Sequence, residues 1–204
     1  MSAIHRLQLP VSEETIRSLR AGDLVMLDGE IVVTAGFPTH QRLMETIDGV
    51  RELPFDIRAA AFFHLGSYIS EDAQGAVRIE YINPTTSTRF NDLMPAMIRH
   101  FRFPLVGGKG GLDTRSVEAM RETGSAYLSF LGGGAPLHTA AIKRVIAVGW
   151  PDLVSHFRLL KLEVSGLGPL TVGIDAQGTS LYDTLSGRAR EMLPGIVEEL
   201  NGKR

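Results

Sequence analysis

The chain contains no cysteine. That excludes disulfides, a thiolate nucleophile, and any cysteine-ligated zinc or iron–sulfur cluster held by this chain alone, so any such cluster must come from a partner. The 6 histidines form no H-x-x-x-H or H-x-H pair, which leaves a protein-only metal site weakly supported. Basic runs stop at two residues, and 21 Lys and Arg against 23 Asp and Glu give a formal charge of -2, which argues against nucleic acid as a partner. No apolar stretch approaches the roughly 20 residues of a spanning helix, so no membrane role is expected. The N-terminal Met1–Arg6 lacks a secretory h-region, and the expected location is the cytoplasm.

What is present is an ordinary globular composition, 44% hydrophobic and 22% charged over 204 residues. One domain spanning 1–204 is expected, with no internal repeat or low-complexity linker. Ser12 caps a short helix that Gly22 stops. Residues 23–27 and 31–35 flank Asp28-Gly29-Glu30 and read as a β-hairpin. Pro38 opens a helix with Leu43, Met44 and Ile47 on one face and Gly49 at its end. Residues 57–65 and 77–82 read as strands around a polar loop at 70–75. The set Leu93, Met94, Met97, Ile98 and Phe101 is helical, and Pro95 fits only if that helix begins near Asn91 or Asp92. Strands are expected at 103–106, 127–131, 145–148, 157–164 and 170–174. Asp113 caps a helix that Gly124 stops, and a last helix covers 185–200, limited by Pro194. Strand–helix repeats with late alternating strands predict a three-layer α/β domain with a mixed sheet.

Two stretches carry the chemistry. Asn83-Pro84-Thr85-Thr86-Ser87-Thr88-Arg89 offers hydroxyls, backbone N–H groups and a guanidinium, and Gly107-Gly108-Lys109-Gly110-Gly111 sets one ammonium amid four glycines. Each lies where an apolar run gives way to a helical pattern, so the two could converge on one small anion. Taken singly, the first is also a turn with an N-cap, and the second a solvated loop lysine. It is not a P-loop, since the G-x-x-x-x-G-K-[ST] spacing is missing, and no G-x-G-x-x-G supports a dinucleotide site. His40, in Pro38-Thr39-His40-Gln41-Arg42, is the histidine best placed to act on a substrate, with a surface or hydrogen-bonding role as its plainer alternative. His64 and His138 read as packing or loop residues.

In order along the chain, 19–23 (LRAGD), 39–42 (THQR), 53–56 (LPFD), 84–89 (PTTSTR), 108–111 (GKGG), 132–135 (GGGA) and 174–182 (IDAQGTSLY) resemble the β-subunit, or C-terminal domain, of class I fumarate hydratase and L-tartrate dehydratase. The resemblance covers Leu19 to about Asp183. It implies a swivelling β/β/α domain within an oxygen-sensitive [4Fe-4S] hydro-lyase whose cluster cysteines lie in the α-subunit, in an α2β2 assembly. The family's P-T-T-x-x-R motif places its catalytic threonine on Thr85 and its carboxylate-binding arginine on Arg89. Lys109 matches a second substrate binder, and Thr86 and His40 join the substrate-binding set. One departure stands out. The family's R-D-x-A-H motif aligns with Gly36-Phe37-Pro38-Thr39-His40, so Gly36 stands where an arginine contacts a carboxylate, and Arg42 points to the other side of its helix.

These readings lead to a hydro-lyase subunit that adds or removes water across the C=C bond of a small hydroxy-carboxylate such as fumarate/malate or tartrate. The partner's iron would act on the hydroxyl, Thr85 on the carbon-bound proton, and Arg89 and Lys109 on the carboxylate. The rival is a non-catalytic carboxylate-binding or regulatory subunit that kept the fold.

Overall fold

A computed structural model of the chain describes residues 4–74 and 77–203. Its elements are β1 (Ile4–Gln8), α1 (Glu13–Ser18), β2 (Leu24–Val33), α2 (Phe37–Ile47), β3 (Ala61–Phe63), β4 (Leu65–Glu71), β5 (Val77–Pro84), α3 (Met94–Phe101), β6 (Leu105–Gly108), α4 (Thr114–Thr123), β7 (Ala126–Ser129), α5 (Ala135–Ala140), β8 (Ile142–Gly149), β9 (Leu159–Ile174) and α6 (Leu181–Gly202). Single 3-10 turns cover Ser87–Phe90 and Ser155–Phe157. The sheet is mixed, in the order β1-β2-β3-β6-β7-β9-β8. β1, β2, β3, β6 and β7 pair parallel, and β9 runs antiparallel to β2, β7 and β8. Because β9 pairs with both β2 and β7, the ladder β2-β3-β6-β7-β9 closes into a ring. β4 and β5 form a separate antiparallel ribbon, and the end of β5 leads into Thr85.

Strand residues alternate between two cores, as a period of two requires for a sheet buried on both faces. Ile31, Val33, Phe63, Leu105, Leu128 and Leu162 face one of them. Their neighbours Val32, Phe62, Val106 and Tyr127 face the other, against Leu43 of α2, Met97 and Phe101 of α3, and Met120 of α4. Each such side chain, fully buried, contributes about 1.5–3 kcal/mol. Local signals fix the helix ends: Ser12 accepts from Thr15 N–H, Asp113 accepts from Ser116 N–H, and Gly124 takes the left-handed conformation at φ 71°. Pro95 falls in the first turn of α3, where a missing N–H costs nothing.

Several expectations need correction. Asp28-Gly29 is no hairpin, because β2 runs unbroken from Leu24 to Val33. The Asp-Gly pair marks an irregularity in its ladder with β9, where the register shifts between Leu27 and Gly29. Gly29 has φ 114°, and Asp28 accepts from Ser165 Oγ (2.9 Å) and Gly166 N–H (2.8 Å), which turns a turn-forming dipeptide into a bulge. The two late strands are one, β9. Pro169 is tolerated there because on one edge β9 pairs with β8 only through Val164 and with β7 only from Thr171, leaving 165–170 without a second ladder. β3 is confined to Ala61–Phe63, and α6 begins at Leu181 and carries Pro194 inside it. The loop expected at 70–75 starts only after Glu71, and Gly75 lies outside the described residues.

Candidate functional site

The chain leaving β5 and the chain leaving β6 meet side by side. Thr85 N–H donates to the His64 carbonyl (2.9 Å), Lys109 N–H donates to the Thr85 carbonyl (2.9 Å), and Ser87 N–H donates to the Lys109 carbonyl (2.8 Å). Thr86 and Lys109 thus pair as an isolated parallel bridge, which holds the two sequence stretches side by side. Their approach requires glycine at 108, where φ is 157° and an added Cβ would lie 3.0 Å from the Thr85 carbonyl and run into Ser87 Oγ. A third loop borders Lys109, since a Cβ on Gly132 would stand 3.6 Å from its Cδ.

The exposure of these side chains differs. Thr85, Thr86 and Lys109 are half-buried, and Thr88 and Arg89 are exposed. Neither Lys109 nor Arg89 has an ion-pair partner among the described residues, so both keep free donors. Thr85 and Lys109 line a shallow groove of about 300 Å³ with Tyr68, Tyr81, Asn83 and His156. Arg89 sits in the 3-10 turn that follows Thr86. No hydrogen bond or ion pair among the described residues joins its side chain to Thr85 or Lys109, so two of the three residues share the groove and the third lies exposed in the turn beside it.

His40 lies beneath the loop. It has no exposed surface, its Nδ1 is 2.6 Å from the Gly36 carbonyl oxygen, and its ring stacks on Phe90 with centroids 3.8 Å apart. A carbonyl only accepts, so Nδ1 carries the proton and Nε2 is a buried acceptor without a partner. Burial pushes the His40 pKa down to about 4. His64, whose ring centroid is 5.2 Å from that of His40, is held well below its ordinary value by burial and then by His40. Both are neutral near pH 7 and support the loop from below.

Sequence reasoning passed over the next layer. His64 Nδ1 is 2.8 Å from Ser87 Oγ, and Ser87 Oγ is 2.8 Å from the Tyr127 hydroxyl, all buried. Burial pushes the Tyr127 pKa up, so its phenol stays protonated. This chain of polar groups fixes Ser87, the first residue of the 3-10 turn that carries Arg89. The only hint of it in the sequence is a serine among threonines; the histidine and tyrosine lie far away along the chain.

Gly36 could not be replaced by a larger residue without movement. A Cβ there would lie 2.7 Å from Phe157 Cβ and 2.8 Å from Thr39 Oγ1, and the Thr39 hydroxyl already donates to the Phe157 carbonyl. Arg42 does not stand in for the missing guanidinium: it is bidentate to Asp152 (2.9 and 2.5 Å) and lies 5.7 Å from the Trp150 ring.

The comparisons with known proteins agree with one another. Residues 2–185 match the family described as Fumarase C-terminus. The chain is 30% identical over 188 residues to a putative L(+)-tartrate dehydratase subunit beta of Methanocaldococcus jannaschii, covering 92% of this chain and 95% of that protein. It is 29% identical over 194 residues to the L(+)-tartrate dehydratase subunit beta of Escherichia coli K12, covering 95% and 94%. It is also 29% identical over 197 residues to a putative fumarate hydratase class I of Geobacillus stearothermophilus, covering 94% of this chain and 36% of that longer protein.

Proposed function

The chain belongs to the fumarase C-terminal family, and from that premise we propose that it is the β-type subunit of a hydro-lyase acting on a small hydroxy-carboxylate. Its relatives carry the names of tartrate dehydratase β-subunits and of a class I fumarate hydratase, which supports a lyase subunit working with a second chain. The three-layer, swivelling arrangement implied by the resemblance, the single-domain reading and the cytoplasmic location belong to the same proposal. Among the described residues no helix is long and apolar enough to cross a membrane.

The family's [4Fe-4S] cluster does not fit this chain. There is no cysteine, and among the described residues no group of three or more His, Asp or Glu side chains could hold a metal ion. The cluster is assigned to the cysteine-bearing partner chain, and this subunit's share of the chemistry is carboxylate binding and proton transfer.

One observation supports the reading: the Thr86–Lys109 bridge brings Thr85 and Lys109 into the lining of one groove, and among the described residues Lys109 has no carboxylate partner. A threonine hydroxyl is a poor base in water, and a neighbouring cation in a site dried by the partner favours its alkoxide. Lys109 then holds the substrate carboxylate by a charge-assisted hydrogen bond, and Arg89 offers a planar fork to a second one. The Thr85 alkoxide takes the proton from the carbon next to the carboxylate, the C–H electron pair becomes the C=C bond, and the hydroxyl leaves as hydroxide, which the Thr85 hydroxyl proton then converts to water. Thr86 supplies a further hydroxyl donor, and His40 supports the site through Phe90. Gly36 leaves one position of the family's R-D-x-A-H motif without a guanidinium, which favours a substrate different from that of proteins carrying that arginine. It also gives ground to the second reading, a carboxylate-binding subunit without turnover.

The test is to co-express the chain with the cysteine-bearing subunit, rebuild the cluster without oxygen, and screen fumarate, mesaconate, tartrate and related acids. Turnover of one of them is expected. Binding without turnover of any supports the second reading.

A further inference from the structure

Among the described residues, α6 is a 22-residue helix that buries none of its side chains. Its first turn is anchored, with Asp183 N–H donating to Ser180 Oγ (3.2 Å) and the Tyr182 ring edge-on to Tyr127 at 6.0 Å. From Arg188 to Lys203 every residue is exposed. Leu185, Met192, Leu193, Ile196, Val197 and Leu200 stand 46% to 61% exposed, and at 3.6 residues per turn they share one face of about 140°. The same helix carries Gly187, Pro194 and Gly195, which weaken it. Such a helix draws its stability from burying an apolar face, and no described part of the chain covers this one. The match to the Fumarase C-terminus family ends at residue 185, where the stripe begins.

The charges along the stripe indicate what covers it. Arg188 and Glu199 lie on the same edge, about three turns apart. Arg188 makes no ion pair among the described residues, and Glu199 holds only Lys203 there, at 2.5 Å. In a parallel pair like edges lie on opposite sides of the seam, so Arg188 and Glu199 would find no complement in each other. Laid antiparallel about a two-fold axis near Leu193, Arg188 of each copy meets Glu199 of the other, and the end of the stripe at Leu185 meets the end at Leu200. The stripe is therefore complementary to itself, as a closed two-fold interface requires. We infer that α6 is a self-association helix through which two copies of this chain pair antiparallel. The inference stands apart from the hydro-lyase reading, and its test reads mass rather than turnover.

Light scattering on the purified full chain at about 50 µM should give a dimer, and the double variant Leu193→Glu with Ile196→Glu a monomer whose body melts unchanged. Arg188→Glu and Glu199→Arg should each weaken the dimer about tenfold, and mixing the two variants should restore pairing as a heterodimer. A monomeric unaltered chain, or a dimer indifferent to Leu193→Glu and Ile196→Glu, overturns the inference. So does a monomer in which those substitutions instead release the cluster-bearing subunit, since the stripe would then belong to that partner.

Discussion

Two hollows with cations at their rims differ in how those cations are paired. At the first, about 420 Å³ between β2, β8 and β9, Arg144 pairs with Glu163 (2.5 Å), Arg58 with Asp56 (3.2 Å) and Lys161 with Glu30 (4.0 Å). At the second, about 300 Å³, Lys109 has no carboxylate partner among the described residues and stands beside Thr85. The larger hollow is already neutralised, so an incoming anion would have to displace an acid there. The smaller one offers its charge unspent. Between these two, the pairing state of the cations rather than size separates the hollow that can take a carboxylate from the one already neutralised.

The strongest way to break this contrast is at the hydroxyl. In the reconstituted complex, Thr85→Ala should lower kcat about 10³-fold while leaving assembly with the partner intact, because a proton-transfer group contributes about 10²–10⁴-fold. Steady-state kinetics beside size-exclusion chromatography of the complex checks both halves. The cations come next. Lys109→Ala should cost about 10²-fold in kcat/KM, the usual scale for one charged donor, whereas Lys161→Ala in the neutralised hollow should change it less than about threefold. Equal losses at the two lysines would erase the distinction.

A smaller effect comes from beneath the open hollow. The folded-state pKa of His40, about 4, lies below its unfolded value of 6.5, so the unfolded chain binds more protons between those values. The associated stability is present above pH 6.5 and is lost as the pH falls towards 4. By His40 alone the loss between pH 7 and pH 5 is about 2 kcal/mol, and His64 shifts in the same direction. Denaturant titrations at the two pH values measure it, and a stability independent of pH over that range would contradict the buried, neutral pair.

What the sequence revealed was local, and what it hid was long-range. Ser12, Asp113 and Gly124 act within one turn of chain, and each ends its helix as the residue type requires. The threonine-rich and glycine-rich stretches also stood out, since composition alone marks places where backbone must approach something closely. Asp28-Gly29 misled because its partner is Ser165-Gly166 on β9, a contact no local rule anticipates. The His64–Ser87–Tyr127 chain was hidden for the same reason, with members on β7, in a loop after β3 and in the 3-10 turn. Even Gly36 became interpretable only against Phe157, whose Cβ and Cα fill the space a side chain would need.

The central claim is that Thr85, its alkoxide favoured by Lys109, moves the carbon-bound proton. Incubating the reconstituted complex with its hydroxy-acid in D2O and following deuterium at the carbon next to the carboxylate tests it directly. The expected result is rapid incorporation by the unaltered complex and loss of incorporation in step with turnover in Thr85→Ala. Deuterium entering at the unaltered rate in that variant would contradict the account.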